Sequence, residues 1–533
     1  MTLTLPAWQR LAFACLLAAP LTAHAASTAD KPCKTTEECA AQARQVGATG
    51  EPARTRTGED DQFAWMNRIN QASIVMLVEE GIVTPEMGRK IAGGVAFAMR
   101  QGDAPGGKRP SDVMQVERIM TDEIGPEASL IHAGRSRQDM YATYRNARLR
   151  AAVLDYTEAM NASRERVLAL AEKNVDTLVP AYTNGVQAMP VSYAHYLLAY
   201  EASFARDAQR VRDLYARLNL SAMGTAVLAN SAWPLNRERL ATLLGFDGVV
   251  ENSMDAGQVI TFDVPLEATG IASSAAIRIG ALMGDLHTQY HQIRPWILLE
   301  EGATYASSAM PQKRNPGLIM RVRESASDVV GLAQATTIRA HNVTTGMTDY
   351  KAAWDSLGVY PAAQSMWEGL DKVLAALVVD PKRAREELDS EWTTSMELAD
   401  TLQRQHDVPF RVGHGFASLV VTYAREHGLA PRDFPYAEAQ RLYGEAATKY
   451  RWSNTTLPLD EAAFQATLSA EDMVRTRVGT GGPQPTEVQR MLTQAKETLA
   501  RDRTWLRERR DRMAESQRTL DAAFQKLVDK LAG

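Results

Sequence analysis

Ala306-Ser307-Ser308-Ala309-Met310-Pro311-Gln312-Lys313-Arg314-Asn315-Pro316 gathers two hydroxyls, a lysine, an asparagine and two prolines into one short run. Proline fixes φ and removes a donor, so Pro311 and Pro316 forbid a continuous helix here, while Leu318 onward reads as a helix opening just after Pro316. The run is a loop feeding a helix. Ser-rich loops are ordinarily solvated linkers. Here Lys313 and Asn315 are spaced to turn donors toward an anion near Ser307, and a carbanion left by proton abstraction needs such preorganised donors. The segment reads as site chemistry.

This run resembles the signature G-S-S-x-M-P-x-K-x-N-P of the fumarase and aspartase superfamily, with only the leading Gly changed, to Ala306. The resemblance implies that Ser307 is the catalytic base, with Lys313 and Asn315 as partners of the substrate carboxylate and of the aci-carboxylate formed from it. A serine hydroxyl is too weak an acid to ionise unaided, so the site must supply positive potential and exclude water when the loop closes.

Ile131-His132-Ala133-Gly134-Arg135-Ser136-Arg137-Gln138-Asp139 is a polar loop with two arginines around a serine, and arginine forks suit carboxylates. It resembles the H-T-G-R-S-R-N-D segment of argininosuccinate lyases, where Ser, Arg and Asn hold the fumarate half of the substrate. Ser136 and Arg137 match; Gln138 keeps the amide of the family's Asn and lengthens its reach. Tyr182-Thr183-Asn184-Gly185-Val186-Gln187-Ala188-Met189-Pro190 is similar to the family's T-H-x-Q-x-A-Q-P, and His195 to Tyr200 to the helix that follows. The resemblance puts Thr183 and Asn184 at the substrate. Here the family's second catalytic residue, a His, is replaced by Asn184, and its Glu partner by Met320. Paired loss has a physical logic, because a buried carboxylate stripped of its imidazolium is an uncompensated charge. Superfamily relatives such as adenylosuccinate lyase use a His from the segment containing His132, and imidazole titrates near working pH, so His132 is the candidate replacement.

Leu244-Gly245-Phe246-Asp247 through Asn252-Ser253-Met254-Asp255-Ala256 is close to L-G-F-D-x-x-x-x-N-S-x-D-A of argininosuccinate lyases, and brings Asn252 and Ser253 to the substrate by resemblance. The family continues with V-S-D-R-D, which recognises the arginine-like end. This chain has Gly257-Gln258-Val259-Ile260-Thr261, which argues against argininosuccinate itself.

At the N-terminus, Arg10 precedes an apolar run from Leu11 to Leu21, and Ala23-His24-Ala25 forms a small-x-small cleavage site, so residues 1–25 read as a secretory signal peptide. That implies a periplasmic protein with no membrane attachment after cleavage. Cys33 and Cys39 then remain, spaced to close a small disulfide loop; a zinc site is disfavoured by the absence of neighbouring His or a second Cys pair. Residues 26–60 read as a polar linker. The net charge of -5 gives no basic footprint for nucleic acid. Neither a metal-ligand cluster nor a phosphate loop is present, so no cofactor is expected.

Helical periodicity marks an N-terminal helical domain over 61–139. Long helices over 140–175, 192–218, 268–299, 317–340 and 353–379 make a central bundle, and a smaller helical domain spans 380–480. The resemblance implies the all-α, three-domain fumarase/aspartase-like fold, whose five central helices assemble into a 20-helix core of a homotetramer. Site segments attached at different heights of long rods converge only if several subunits contribute. Over 481–533, Val488, Met491, Leu492, Ala495, Leu499, Leu506, Met513, Leu520, Phe524, Leu527 and Leu531 mark one apolar face of a long, charged helix, which predicts helical or coiled-coil association. Two functions are expected: a carbon-nitrogen lyase eliminating fumarate from an N-substituted aspartate, or a silent relative that binds dicarboxylates or serves as a scaffold.

Overall fold

The computed structural model describes residues 61–347 and 355–529. The expected signal peptide and linker, with Cys33 and Cys39, lie outside them. Asp61 opens α1 (Gln62–Glu79) by accepting from the Ala64 N–H, and Thr84 with Pro85 opens α2 (Pro85–Asp103). Asp112 caps α3 (Val113–Ile124), which Gly125 ends at φ +90°. Phe63, Met66, Ile69, Ile91, Val95, Val116 and Met120 close a core between these three helices.

The bundle begins with α4 (Arg137–Lys173), then a hairpin of β1 (Leu178–Thr183) and β2 (Val186–Ser192), then α5 (Tyr193–Leu218). A connecting region carries β3 (Leu220–Ser221), α6 (Arg237–Leu243), β4 (Gly248–Val249) and α7 (Ser253–Gln258), with β3 and β4 paired in parallel. Next come α8 (Ile260–Gln289) and β5 (Ile297–Leu299), then β6 (Tyr305–Ala306) and β7 (Arg314–Asn315). The last bundle rods are α9 (Gly317–Ala340) and α10 (Asp355–Ala375), followed by β8 (Leu377–Val379). Arg217 pairs with Glu267 at one end of α5 and Tyr196 donates to Asp285 at the other, so α5 and α8 run antiparallel. Phe204, Ile279, Val322 and Trp367 pack between the rods.

Two expected helices are shorter than their apolar patterns. Helix α8 stops at Gln289 and α10 at Ala375, and the apolar residues beyond pair as antiparallel strands, Ile297 with Val379 and Leu299 with Leu377. Pro295 keeps Arg294 out of helical backbone, and the short Leu/Val runs satisfy their amides across the chain instead.

A further group of helices follows, with α11 (Pro381–Ser390), α12 (Ser395–His406), α13 (Phe410–His427), α14 (Tyr436–Lys449), α15 (Glu461–Thr467) and α16 (Ala470–Thr476), whose core gathers Leu402, Phe416, Phe434 and Phe464. Helix α17 (Pro485–Asp529) turns back along α4, pairing Lys496 with Glu172, Arg503 with Glu165 and Arg510 with Asp155. Its Val488, Leu492 and Leu499 enter the bundle core and its Leu520 and Phe524 the N-terminal core. The amphipathic face therefore packs within its own chain.

Candidate active site

The signature run folds as a small hairpin. Tyr305 pairs with Asn315 and Ala306 with Arg314, and the Asn315 amide donates to the Tyr305 carbonyl at 3.2 Å. Within the turn, Ser307 Oγ accepts from the N–H groups of Ala309 and Met310 at 3.3 and 3.2 Å. Two amide dipoles converging on one hydroxyl oxygen favour negative charge on it. Arg314 ties the turn to Glu301 and donates to the Pro311 carbonyl, while Lys313 is exposed and Ser307 and Asn315 are half-buried. Met320 stands exposed on the first turns of α9.

Ser136 is the N-cap of α4, its Oγ accepting from the Gln138 N–H at 3.3 Å. Arg137 and Gln138 follow in the first turn, Arg137 exposed, where the helix dipole favours a carboxylate. Asn252 caps α7 through its side-chain oxygen, and Ser253 donates to the Leu228 carbonyl at 2.7 Å. Both polar groups expected at the substrate are thus engaged in fixing backbone. The His132 Nε2 is held by Glu117 of α3. Burial first, then the Arg135 charge, lowers the His132 pKa below its usual value.

Asn184 and Gly185 form the two-residue loop of the β1–β2 hairpin, flanked by the Thr183–Val186 pair, with φ of +51° and +78°. Asn-Gly is the favoured pair for such a left-handed turn. Thr183 and Asn184 are exposed at its tip. The hairpin is braced by Glu387 of α11, whose Oε1 accepts from the Tyr182 hydroxyl and the Gln187 amide, each at 2.7 Å. Burial and that carboxylate push the Tyr182 hydroxyl up to about 12. Glu387 carries no local sequence signal. Asp139 does, three residues after the Ser136 cap, and its role is larger than capping.

These segments divide between the two ends of the bundle. Ser136, Arg137, Gln138, Asn252 and Ser253 lie where α4 begins and α5 ends. Ser307, Lys313, Asn315 and the Asn184 hairpin lie where α4 ends and α9 begins. At 1.5 Å per residue α4 is roughly 55 Å long and α9 roughly 36 Å, so one chain does not bring Ser307 to Arg137. Among the described residues no three His, Cys, Asp or Glu side chains gather as a metal site, and no helix is long and apolar enough to cross a membrane.

Residues 109–331 match the lyase family model and residues 392–475 the argininosuccinate lyase C-terminal model. An argininosuccinate lyase of Methanosarcina mazei is 31% identical over 438 residues, covering 81% of this chain and 86% of the relative. One of Methanosarcina acetivorans is 29% identical over 468 residues, covering 86% and 91%. Among solved structures, an EDDS lyase variant with bound fumarate superposes with a TM-score of 0.78 at 28% identity, covering 88% of this chain and 92% of that one. A shared signature loop, a shared fold and identity sustained across most of both sequences lead to one assignment: the chain belongs to the argininosuccinate lyase family of the fumarase/aspartase superfamily.

Proposed function

We propose that the protein is a carbon-nitrogen lyase that eliminates fumarate from an N-substituted aspartate, with amine addition to fumarate as the reverse reaction. The observation that carries this reading is the Ser307 oxygen receiving two backbone N–H groups inside the Lys313–Asn315 hairpin. Ser307 acts as the base: having given its hydroxyl proton to solvent before the loop closes, it takes as the alkoxide the proton from the carbon next to a carboxylate, and returns it to solvent when the products leave. The electron pair left behind spreads into that carboxylate, which Lys313 and Asn315 hold. It then forms the new carbon-carbon double bond as the carbon-nitrogen bond breaks. Ser136, Arg137, Gln138 and Thr183 bind the carboxylates, and the amine leaves with a proton from His132 in its imidazolium form, whose Nε2–H stays on Glu117 while Nδ1 gives up its proton and is reprotonated from solvent after each turnover. No cofactor takes part. The replacement of V-S-D-R-D by Gly257 to Thr261 points to an amine other than arginine.

The site so described needs more than one chain, and a homotetramer supplies them. In support, Gly270, Gly280 and Gly284 of α8 and Gly331 of α9 face open space, beside exposed Ile277, Leu332 and Ile338. Interior helix glycines are unfavourable in isolation, and such a face admits another helix closely. The N-terminal leader points to work in the periplasm.

Asn184 in a turn position and Met320 in place of a carboxylate are the two observations behind a second reading, a silent dicarboxylate-binding or scaffold protein, which the lyase relatives do not favour. Absorbance in the ultraviolet fumarate band decides between them. Purified mature protein should release fumarate from at least one member of a panel of N-succinyl amines. Ser307→Ala should lower the rate by about 10³-fold or more, the scale of losing a preorganised catalytic group. Silence across the panel in both directions would establish the scaffold reading.

A further inference from the structure

We propose that Asp139 is the positioning residue of the dicarboxylate-binding end, its carboxylate fastening the Ser136–Gln138 helix terminus to a strained loop over residues 224–230. The inference rests on the reading of Ser136 and Arg137 as substrate-binding groups. Asp139 is fully buried and collects five backbone N–H groups from two separate stretches of chain. Its Oδ1 accepts from Ser136 at 2.8 Å and Met140 at 3.1 Å. Its Oδ2 accepts from Gly224, Thr225 and Ala226 at 3.0, 3.1 and 3.3 Å. A helix cap needs only the first pair. The second set reaches 85 residues along the chain to a loop that is itself neither helix nor strand.

That loop is conformationally expensive. Ala226, Val227 and Asn230 sit at φ of +46°, +80° and +60°, and a β-branched residue at such an angle is held there by its surroundings. The surroundings are identifiable. The Asn230 N–H closes onto the Thr225 carbonyl at 3.0 Å, and Ser253 donates to the Leu228 carbonyl at 2.7 Å. A Cβ at Gly257 would stand 2.8 Å from the Val227 carbonyl oxygen, so only glycine lets α7 approach. Asp139 thus ties Ser136 and Arg137 to Asn252 and Ser253 by way of the loop. Two segments meant to hold one substrate share one anchor. The Arg135 guanidinium on the same stretch and Arg237 of α6 are the charges acting on it.

The test compares full-length wild type with Asp139→Asn, Asp139→Glu and Val227→Gly. Backbone amide exchange reads the loop, and fumarate titrated in a calorimeter reads the site. Asp139→Asn should speed exchange across 224–230 at least tenfold and weaken fumarate binding at least tenfold. Asp139→Glu, which keeps the charge, should recover part of both. Leu499→Ala, a core variant of comparable thermal destabilisation, should leave fumarate affinity unchanged, which separates positioning from general loss of stability. Should Asp139→Asn fail to fold, Val227→Gly carries the test: it keeps the carboxylate and frees the backbone, and should weaken fumarate binding by a smaller factor. Unchanged loop exchange in Asp139→Asn, or unchanged fumarate affinity in every loop and Asp139 variant, overturns the proposal. Wild type that binds no fumarate while Asp139→Asn still frees the loop instead overturns the lyase reading and leaves the anchor standing.

Discussion

A histidine that is half-buried against an arginine and a glutamate titrates differently in the folded and unfolded chain, and His132 makes that difference measurable. Its folded pKa lies below the ordinary 6.5, mainly through burial. Between the folded and unfolded values the unfolded state binds more protons, so this contribution is fully present above about 6.5 and is lost as pH falls through the folded pKa. Urea midpoints should therefore drop between pH 7.5 and pH 5, and His132→Gln should flatten part of that slope. Asp139 acts in the opposite sense. Burial raises its carboxyl to about 6, so its contribution is greatest below the unfolded value and declines as pH rises through 6. At this scale the sequence was partly readable. Ser307, Lys313 and Asn315 announce themselves through spacing, whereas the bonds from Asp139 to Gly224, Thr225 and Ala226 join residues too distant for any local pattern. The capping work of Asn252 could be foreseen from its place before α7; its identity as a substrate residue came by resemblance alone.

At the scale of elements, the β1–β2 hairpin depends on the residue at its tip. Asn184 occupies a left-handed position that Asn tolerates better than most residues. Asn184→His, the obvious attempt to restore a family group, should lower stability by about 1 kcal/mol through that backbone position. A lower thermal midpoint with fumarate release unchanged would show that geometry, and the missing partner at Met320, limit the imidazole. The helix contacts of α4, α5 and α17 are governed by a different device. Arg164 is fully buried, with Glu201 at 2.9 Å and Asp502 at 2.7 Å, drawing three helices onto one guanidinium. Removing one side of such a cluster strands the rest, so Arg164→Ala should cost about 3–5 kcal/mol by chemical denaturation. Replacing all three by apolar residues should cost far less. Periodicity predicted these helices well because each has a continuous apolar stripe. It overran at Leu299 and Val379 because an apolar run does not distinguish a rod's last turns from a short buried strand.

For the whole molecule, the separation of Ser307 and Arg137 along the bundle ties the proposed activity to the proposed assembly. Light scattering of the mature protein should give the mass of a tetramer. Gly280→Leu, placed on an open face of α8, should shift that mass toward smaller species and remove fumarate release together with it. Assembly lost with activity retained would show that one chain suffices. The bundle was legible from five long apolar patterns and the family signature. The role of the C-terminal helix was not, since an amphipathic face declares that it will be covered without saying by what. Here the cover is the protein's own α4 and N-terminal helices.

Helix α17 has one more consequence. Its 45 residues are the last described part of the chain, yet they supply side chains to the central core and to the N-terminal core. Loosening this one helix would uncover apolar side chains of both cores together, so a cut within it should unsettle the bundle and the N-terminal helices at once.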